Sequence, residues 1–453
     1  MTWSDEQAKA LASVFEALNR SGIPWLVLRN YEGLPEENRS KDIDLGLEKK
    51  EIDRAVATIT KALASHGFNR VFMQFFQYVR CCTYLKVSDT EVISIKVDLL
   101  DGFAWRGAQI FEFKHLYCAR VRYRNFFVPS EVDDGVMLWM KPLLTGGIVK
   151  EHYADDIRRV SASHQVQFRA SLNRAFSRPI ADEVWPLIEQ GRLLATVPYK
   201  RRLAHAAWLQ AVRQAPCRTL AASVEHYYSE IARRSRRNPA SMLAVVGPDG
   251  VGKTTFIELL QSELARVLVK DPHDIEVKHF RPHILPNIKQ LFSGKKFDIS
   301  SEEFSKPHRA TPASAPSSLV RLVYYWADYI LGYWLVNRRK CARGAVMIFD
   351  RYFYDFIVDP RRSRIKLPTW LRKLFLNMTP QPDLVFFLDC DAEVVYARKQ
   401  ELPKEEIERQ LNEYRKLVAD DPKRFVRLDA IQLPEITCRQ ALRVLVERSF
   451  PRT

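Results

Sequence analysis

The sequence lacks the marks of several protein classes. Its seven cysteines are Cys81, Cys82, Cys118, Cys217, Cys341, Cys390 and Cys438. Their number is odd, and they form no CxxC pair and no Cys/His cluster. Adjacent Cys81 and Cys82 have no further ligand nearby. A disulfide framework and a regularly spaced zinc site are therefore not expected, and reduced thiols in the cytoplasm are. The first residues, MTWSDEQAKALASVFEAL, carry no basic start, apolar core or cleavage site, so no signal peptide is expected. No internal repeat of solenoid length occurs. Long apolar runs are scarce as well. The stretch nearest to spanning length, Leu319 to Val336, is interrupted by Arg321 and Asp328, and its aromatics are spread along it. It reads as a buried helix rather than a span. Its Trp and Tyr content, on a basic chain, leaves peripheral membrane contact open.

What is present is ordinary globular composition: 453 residues, 47% hydrophobic and 27% charged. That length suggests two or three domains, and that composition excludes collagen-like, coiled-coil and wholly disordered chains. Seventy Lys and Arg against 54 Asp and Glu leave a net charge of +16. The excess favours anionic partners: nucleotides, phosphorylated sugars, nucleic acid or an acidic membrane surface. No nucleic-acid recognition motif accompanies it, so nucleic acid is the weakest of these.

The chain reads as three regions. Over 1–150, helical patterns at 5–20 and 50–66 mix with strands at Trp25–Leu28, Ile43–Leu47 and Glu91–Leu100. This predicts an α+β domain. Residues 151–240 read as a helical, basic connector. It ends in the run Arg233 to Pro239, either a solvated boundary or an anion-binding patch. From 241 to 453 the texture is α/β. MLAVV, VMIFD and LVFFLD are buried strands alternating with helices, which predicts a parallel sheet with helices on both faces.

The strongest motif is Gly247-Pro248-Asp249-Gly250-Val251-Gly252-Lys253-Thr254, followed by Thr255. It fits G-x-x-x-x-G-K-[ST], with a strand before it and an apolar helix after. The glycines let the backbone curl so that successive N–H groups face phosphate, and the helix N-terminus adds its positive end. Lys253 then reaches the β- and γ-phosphates and Thr254 holds Mg²⁺. This is an ATP site of the P-loop NTPase kind. A second motif narrows the chemistry: Asp350 ends an apolar strand and is followed by Arg351. An acid there sits where ligands bind in open α/β sheets, placed to hold Mg²⁺ or to take the acceptor's proton. Arg351 is placed to clamp an acceptor phosphate.

From about 242 onward these motifs resemble thymidylate kinase. GPDGVGKTT, FDRY, PDLVFFLDCDAEVVYARK and RFVRLDA match that family's phosphate loop, Asp-Arg-Tyr motif, lid-bearing helix and last strand. Arg281-Pro282 and Ala327-Asp328 are weaker matches. The resemblance implies that Asp249 faces the acceptor. It also implies that Arg398 joins Arg351 in neutralising the transferred phosphoryl group as a lid closes, with Lys399, Lys404 and Arg409 in reserve. Departures fall on the acceptor half. No acid separates Arg281 from Pro282, Tyr329 stands at the family's phosphate-binding arginine, and 286–318 is an unusual polar insert. DRYFYDFIVDPRR with RKQEL is more similar to thymidylate kinase-like proteins associated with surface-polysaccharide synthesis.

In the first region, Asp42 and Asp44 lie two apart on one strand, and Asp98 ends another. Alternation sends the pair to one face. Three converging carboxylates would hold Mg²⁺ and activate a hydroxyl. Over about 22–160, including Lys141 and Asp155-Asp156, this resembles the nucleotidyltransferase superfamily, as does Leu28-Arg29-Asn30-Tyr31-Glu32. Arg39 replaces the family's glycine before Ser40, so a domain that binds without catalysing is the alternative.

Together these readings predict an ATP- and Mg²⁺-dependent kinase acting on a small-molecule acceptor, fused to a nucleotidyltransferase-like domain and compatible with a homodimer. The alternatives are a thymidylate or nucleoside-monophosphate kinase and an ATP-switched scaffold.

Overall fold

Ser4 starts the first helix. Its hydroxyl accepts the Gln7 N–H while the Gln7 side chain accepts the Ser4 N–H, a reciprocal cap for the helix Asp5–Arg20. That helix and Ile52–Ala64 put their apolar faces on one side of a five-stranded sheet. The strands are β1 (Trp25–Val27), β2 (Ile43–Leu47), β3 (Asn69–Phe75), β4 (Val79–Val87) and β5 (Val92–Leu100), ordered β1-β2-β5-β4-β3. β2 and β5 run parallel; β1 and β3 pair antiparallel with β2 and β4. Ile43, Leu45 and Leu47 of β2 and Ile95, Val97 and Leu99 of β5 join the core with the two helices. The period of two then sends Asp44, Lys96 and Asp98 to the opposite face. Two short ribbons follow, β6 (Phe103–Trp105) with β7 (Ala108–Phe111) and β8 (Val121–Tyr123) with β9 (Phe126–Val128).

The computed structural model describes residues 3–38, 40–75, 78–233, 241–268, 274–286 and 314–449. It divides into two compact units: Met1–Lys86 with Ile93–Arg233, and Val87–Val92 with Arg234–Thr453. Residues 151–233 belong to the first of these units. Their helices share a second core with Leu26, Leu28, Leu100 and the helix Glu131–Gly146, built around Trp139, Phe168, Phe176 and Trp185. They are amphipathic because that core needs them. Arg39, the basic run after Arg233 and most of the 286–318 insert lie outside the described residues.

The second unit is built on β10 (Met242–Val246), β11 (Ile275–His279), β12 (Val346–Asp350), β13 (Leu384–Asp389) and β14 (Phe425–Asp429), ordered β11-β12-β10-β13-β14. All neighbours are parallel. Consecutive residues of β13 prove that both faces are covered. Phe386 meets Phe256 of the helix Lys253–Val267, and Phe387 stacks on Tyr414 of the helix Lys404–Asp420. A sheet covered on both sides explains why β10 and β13 are apolar without alternation. The expected α/β architecture is the observed one.

The aromatic stretch forms the helix Ala315–Gly332, continued by a π-helical turn Tyr333–Asn337. It is buried on one face only, through Leu322, Asp328 and Tyr329; Val320 and Trp334 are 55% and 52% exposed. This corrects the reading of a buried helix. Among the described residues no helix is long and apolar enough to cross a membrane.

Candidate active site

β10 runs into the phosphate loop at the centre of the second sheet. Gly247, Gly250 and Gly252 take φ of 150°, 90° and 103°. A Cβ on Gly250 would come within 2.9 Å of the Lys399 Cβ, and one on Gly247 within 3.1 Å of the Leu388 carbonyl. Both backbone conformation and space therefore require glycine there. Val251 is buried and Thr254 and Thr255 are exposed. The two threonines occupy the first turn of the helix Lys253–Val267, where N–H groups lack helical acceptors. The Lys253 ammonium is only 7% exposed and lies within the loop, donating to the carbonyls of Gly247 at 2.9 Å and Pro248 at 2.7 Å. Burial, reinforced by the charge of Arg351, lowers it to about 8.

Asp249 accepts from Arg351 and, at 2.5 Å, from Arg362. Burial would raise this carboxyl, but Arg351, Lys253 and Arg362 hold it far below the carboxylate range. The other side of Arg351 donates to Asp355 at 2.5 Å, and Asp355 accepts the Tyr414 hydroxyl at 2.6 Å. Arg351 is thus clamped between two carboxylates, on a left-handed backbone (φ 73°) whose N–H reaches the Val245 carbonyl at 2.9 Å. A non-glycine residue held there is strained, and such strain gathers at functional sites. Arg351 and Asp249, both candidate site residues, are in direct contact. Asp355, Arg362 and Tyr414, which complete the network, were not assigned from sequence, although Asp355 and Arg362 lie in the quoted DRYFYDFIVDPRR.

Asp350 ends β12 opposite His279, the last residue of β11. His279 Nδ1 lies 2.8 Å from Asp350 Oδ2. Burial pushes this carboxyl up, but the His279 hydrogen bond and the Lys253 charge outweigh it and lower it. Asp350 Oδ1 is buried without any hydrogen-bond partner. A buried carboxylate oxygen left open next to a phosphate loop fits a divalent cation, because Mg²⁺ takes one or two carboxylates and fills its remaining positions with phosphate and water. The sequence signal for His279 was weak: a polar residue closing a short strand.

The acceptor-side residues differ from expectation. Tyr329 is 1% exposed and donates its hydroxyl to the Phe280 carbonyl, with its ring against Tyr352 and Phe353. It holds the loop after β11. Asp328, fully buried, accepts the N–H groups of His283, Ile284 and Leu285 at 3.1, 2.8 and 2.7 Å and lies 3.4 Å from Arg281. Arg398 closes the helix Ala392–Arg398, and its guanidinium donates to the carbonyls of Val251 and Ala430. It braces the phosphate loop from behind in this conformation. Lys399, Lys404 and Arg409 pair with Glu401, Glu393 and Glu406.

In the first unit, Asp44 and Asp98 are register partners on parallel strands, so the expected common face exists. They do not form the expected metal cluster. Asp44 is 2% exposed, with Arg29 on one oxygen and Lys141 at 3.3 Å on the other. Burial would raise its carboxyl, but Lys141 and Arg29 hold it at about 2. Asp42 pairs with Lys96 at 3.6 Å and accepts the Ser40 hydroxyl at 3.2 Å. Asp98 is pushed up to about 6 by burial, against the charge of Lys96. Among the described residues no three His, Cys, Asp or Glu side chains converge to hold a metal. Arg29 and Lys141 neutralise Asp44 and Lys96 pairs with Asp42, while one Asp98 oxygen is buried without a hydrogen-bond partner. A further acid, Asp134, is pushed up to about 8 by burial and the charge of Glu32, and accepts the Tyr31 hydroxyl at 3.3 Å.

Residues 309–440 match the family model described as thymidylate kinase. That stretch lies within the second unit, and it is similar to thymidylate kinase over those residues. A "Probable thymidylate kinase" of Methanosarcina barkeri (strain Fusaro / DSM 804) is 26% identical over 219 residues, spanning 46% of this chain and 96% of that protein. The crystal structure of thymidylate kinase from Ehrlichia chaffeensis is similar at 16% identity and a TM-score of 0.32, covering 46% of this chain and 99% of that one.

Proposed function

We propose that the second unit transfers the γ-phosphoryl group of ATP to a small-molecule acceptor. The carrying observation is the phosphate loop with Lys253 inside it, beside a buried Asp350 that keeps one oxygen open. Phosphoryl transfer needs positioning and charge neutralisation more than covalent help. Loop amides and Lys253 bind the β- and γ-phosphates, and Lys253 exchanges the Gly247 and Pro248 carbonyls for phosphate oxygens. Thr254 and Asp350 are the residues that would hold Mg²⁺, whose charge offsets that of the transferred group. Asp249 fixes Arg351 and Arg362 at the mouth of the loop, where their charge faces the reacting phosphates. Arg398 reaches the same region only by leaving the Val251 carbonyl.

The acceptor belongs, on this proposal, to surface-polysaccharide synthesis, because DRYFYDFIVDPRR resembles the kinase-like proteins of that setting. The Methanosarcina relative favours a second reading, thymidylate. Against it stands Tyr329, buried and committed to Phe280 where the family has a phosphate-binding arginine. The first unit is proposed as a nucleotidyltransferase-like domain that binds an anionic ligand without catalysing transfer, because Arg29 and Lys141 neutralise Asp44 and Lys96 neutralises Asp42.

The test is transfer of labelled γ-phosphate from ATP–Mg²⁺ to nucleoside monophosphates, sugars, sugar phosphates and a cell extract, with Lys253→Ala as control. Labelled sugar or sugar phosphate supports the proposal. Labelled dTDP establishes the second reading. ATP binding without any labelled product overturns both and favours an ATP-switched scaffold.

A further inference from the structure

Beyond the Arg362 that serves Asp249, the chain turns through 360–368 into a second basic feature. A cavity of about 540 Å³ is lined by Arg361, Arg364, Lys366 and Arg372, with Pro and aliphatic side chains between them and no carboxylate. Cavities of this size hold small ligands. Its loop is fastened on several sides. Ile365 N–H reaches the Pro360 carbonyl at 2.9 Å, and Lys366 N–H reaches the Ser318 hydroxyl of the aromatic helix at 3.0 Å. Arg372 forms the floor, donating to the carbonyls of Phe356, Ile357 and Leu367.

The other three cations have no such role. Among the described residues, the side chains of Arg361, Arg364 and Lys366 make no hydrogen bond and no ion pair. Their neighbours do: Arg362 is on Asp249, Arg409 on Glu406, and Arg415 and Arg427 on Asp389. Arg364 is moreover held at φ 56°, a left-handed conformation that a non-glycine residue adopts at a cost. Three cations without a side-chain hydrogen bond or ion pair, of which Arg361 feels the more distant charge of Glu406, stand on a fastened loop with apolar walls between them and describe a receptor for an anionic group attached to a carbon skeleton.

We propose that this cavity binds a phosphate-type group at the far end of the acceptor. This rests on the kinase reading and deepens it: the acceptor class becomes a molecule with anionic groups at both ends, not one whose far end is a neutral base. Arg361 and Arg362, adjacent in sequence, then serve the two ends.

Two measurements on the full chain test it. In the first, pyrophosphate is titrated calorimetrically into protein saturated with a non-hydrolysable ATP analogue and Mg²⁺, so that the phosphate loop is filled. Saturable binding is expected, weakened at least tenfold in the Arg361→Gln/Lys366→Glu variant, with analogue affinity unchanged. Both side chains are exposed, so folding is not at stake; Arg364→Asn, which tolerates the left-handed backbone, is the second variant. Equal pyrophosphate affinity in wild type and variants overturns the proposal, as does no binding at all. The second measurement compares kcat/KM for matched acceptors: thymidine 3′,5′-bisphosphate against thymidylate, and glucose 1,6-bisphosphate against glucose 6-phosphate. A tenfold or larger advantage of the bisphosphate, lost in the double variant, supports the acceptor as the source of the anion. Equal values within each pair, with pyrophosphate still bound at the cavity, overturn that source in favour of free phosphate. Absence of transfer to every acceptor, with the ATP analogue still bound, sinks the kinase reading, and the pyrophosphate titration then decides the cavity by itself.

Discussion

Asp350 and Asp44 both lie on strands inside parallel-paired sheet, and their surroundings are opposite. Asp350 has one oxygen on His279 and one that is buried and open. Asp44 has Arg29 and Lys141 on its two oxygens. The first keeps a buried oxygen without a partner; the second is already neutralised, and its removal would leave two partly buried cations without that counter-charge. A carboxylate at a strand end marks where a site is geometrically accessible. What its neighbours leave unsatisfied decides whether chemistry follows.

The largest expected effect tests the second unit alone. Lys253→Ala should cut phosphoryl transfer by at least roughly a hundredfold, the order seen when a charge-stabilising donor is removed. Thermal unfolding should be unchanged or slightly later, since a buried ammonium is lost. Retained transfer would break the kinase side of the comparison. Next, the two aspartates are exchanged for asparagine. Asp44→Asn should destabilise by about 2–3 kcal/mol in urea unfolding, the cost of losing the charged hydrogen bonds that a buried carboxylate makes to two partly buried cations. Asp350→Asn should leave stability within about 1 kcal/mol yet raise the Mg²⁺ needed for half-maximal transfer. If Asp44→Asn proves harmless, the neutralised-face account of the first unit is wrong.

A pH profile sharpens the contrast further. Lys253, lowered to about 8, must be charged to hold phosphate. ATP affinity should therefore be flat below pH 8 and fall by up to tenfold per unit above it, with proton uptake on binding, measurable by calorimetry in two buffers. In the first unit, Asp134 is raised to about 8 in the folded state. A raised acid contributes stability below its unfolded value of about 4 and loses it as pH climbs through about 8. Asp134→Asn should match wild type near pH 4 and unfold a few degrees later at pH 9. The smallest effect concerns the loop after β11: Tyr329→Phe should cost about 1 kcal/mol, the worth of one hydrogen bond.

Much of the fold was legible because its signals are local. The helix Asp5–Arg20 begins at a Ser whose partner Gln7 is three residues on, and β10, β12 and β13 are apolar runs leading into glycine or acid. The phosphate loop was legible because φ and space both demand its glycines. The partners of the site acids were not. His279 reaches Asp350 from a strand 71 positions away, and Tyr414 reaches Asp355 across 59; neither spacing leaves a pattern. The packing of 151–233 into a core escaped the sequence for a related reason. Basic surface residues dominate the composition there, while the buried stripe that joins the second core shows only in three dimensions.

Asp328 has a consequence for where an acceptor's charge can go. Three successive backbone N–H groups, from His283 to Leu285, curl around its carboxylate, with Arg281 beside it. Such a concave row of amides is an anion nest. Here the chain has filled the nest with its own anion, tethered and beyond the reach of solvent. A free phosphate competing for it would face an effective concentration no diffusing ligand matches. The natural anion receptor beside β11 is therefore already occupied, and on the proposed function an acceptor's charge has to find its counter-charge elsewhere, as at Arg361, Arg364 and Lys366.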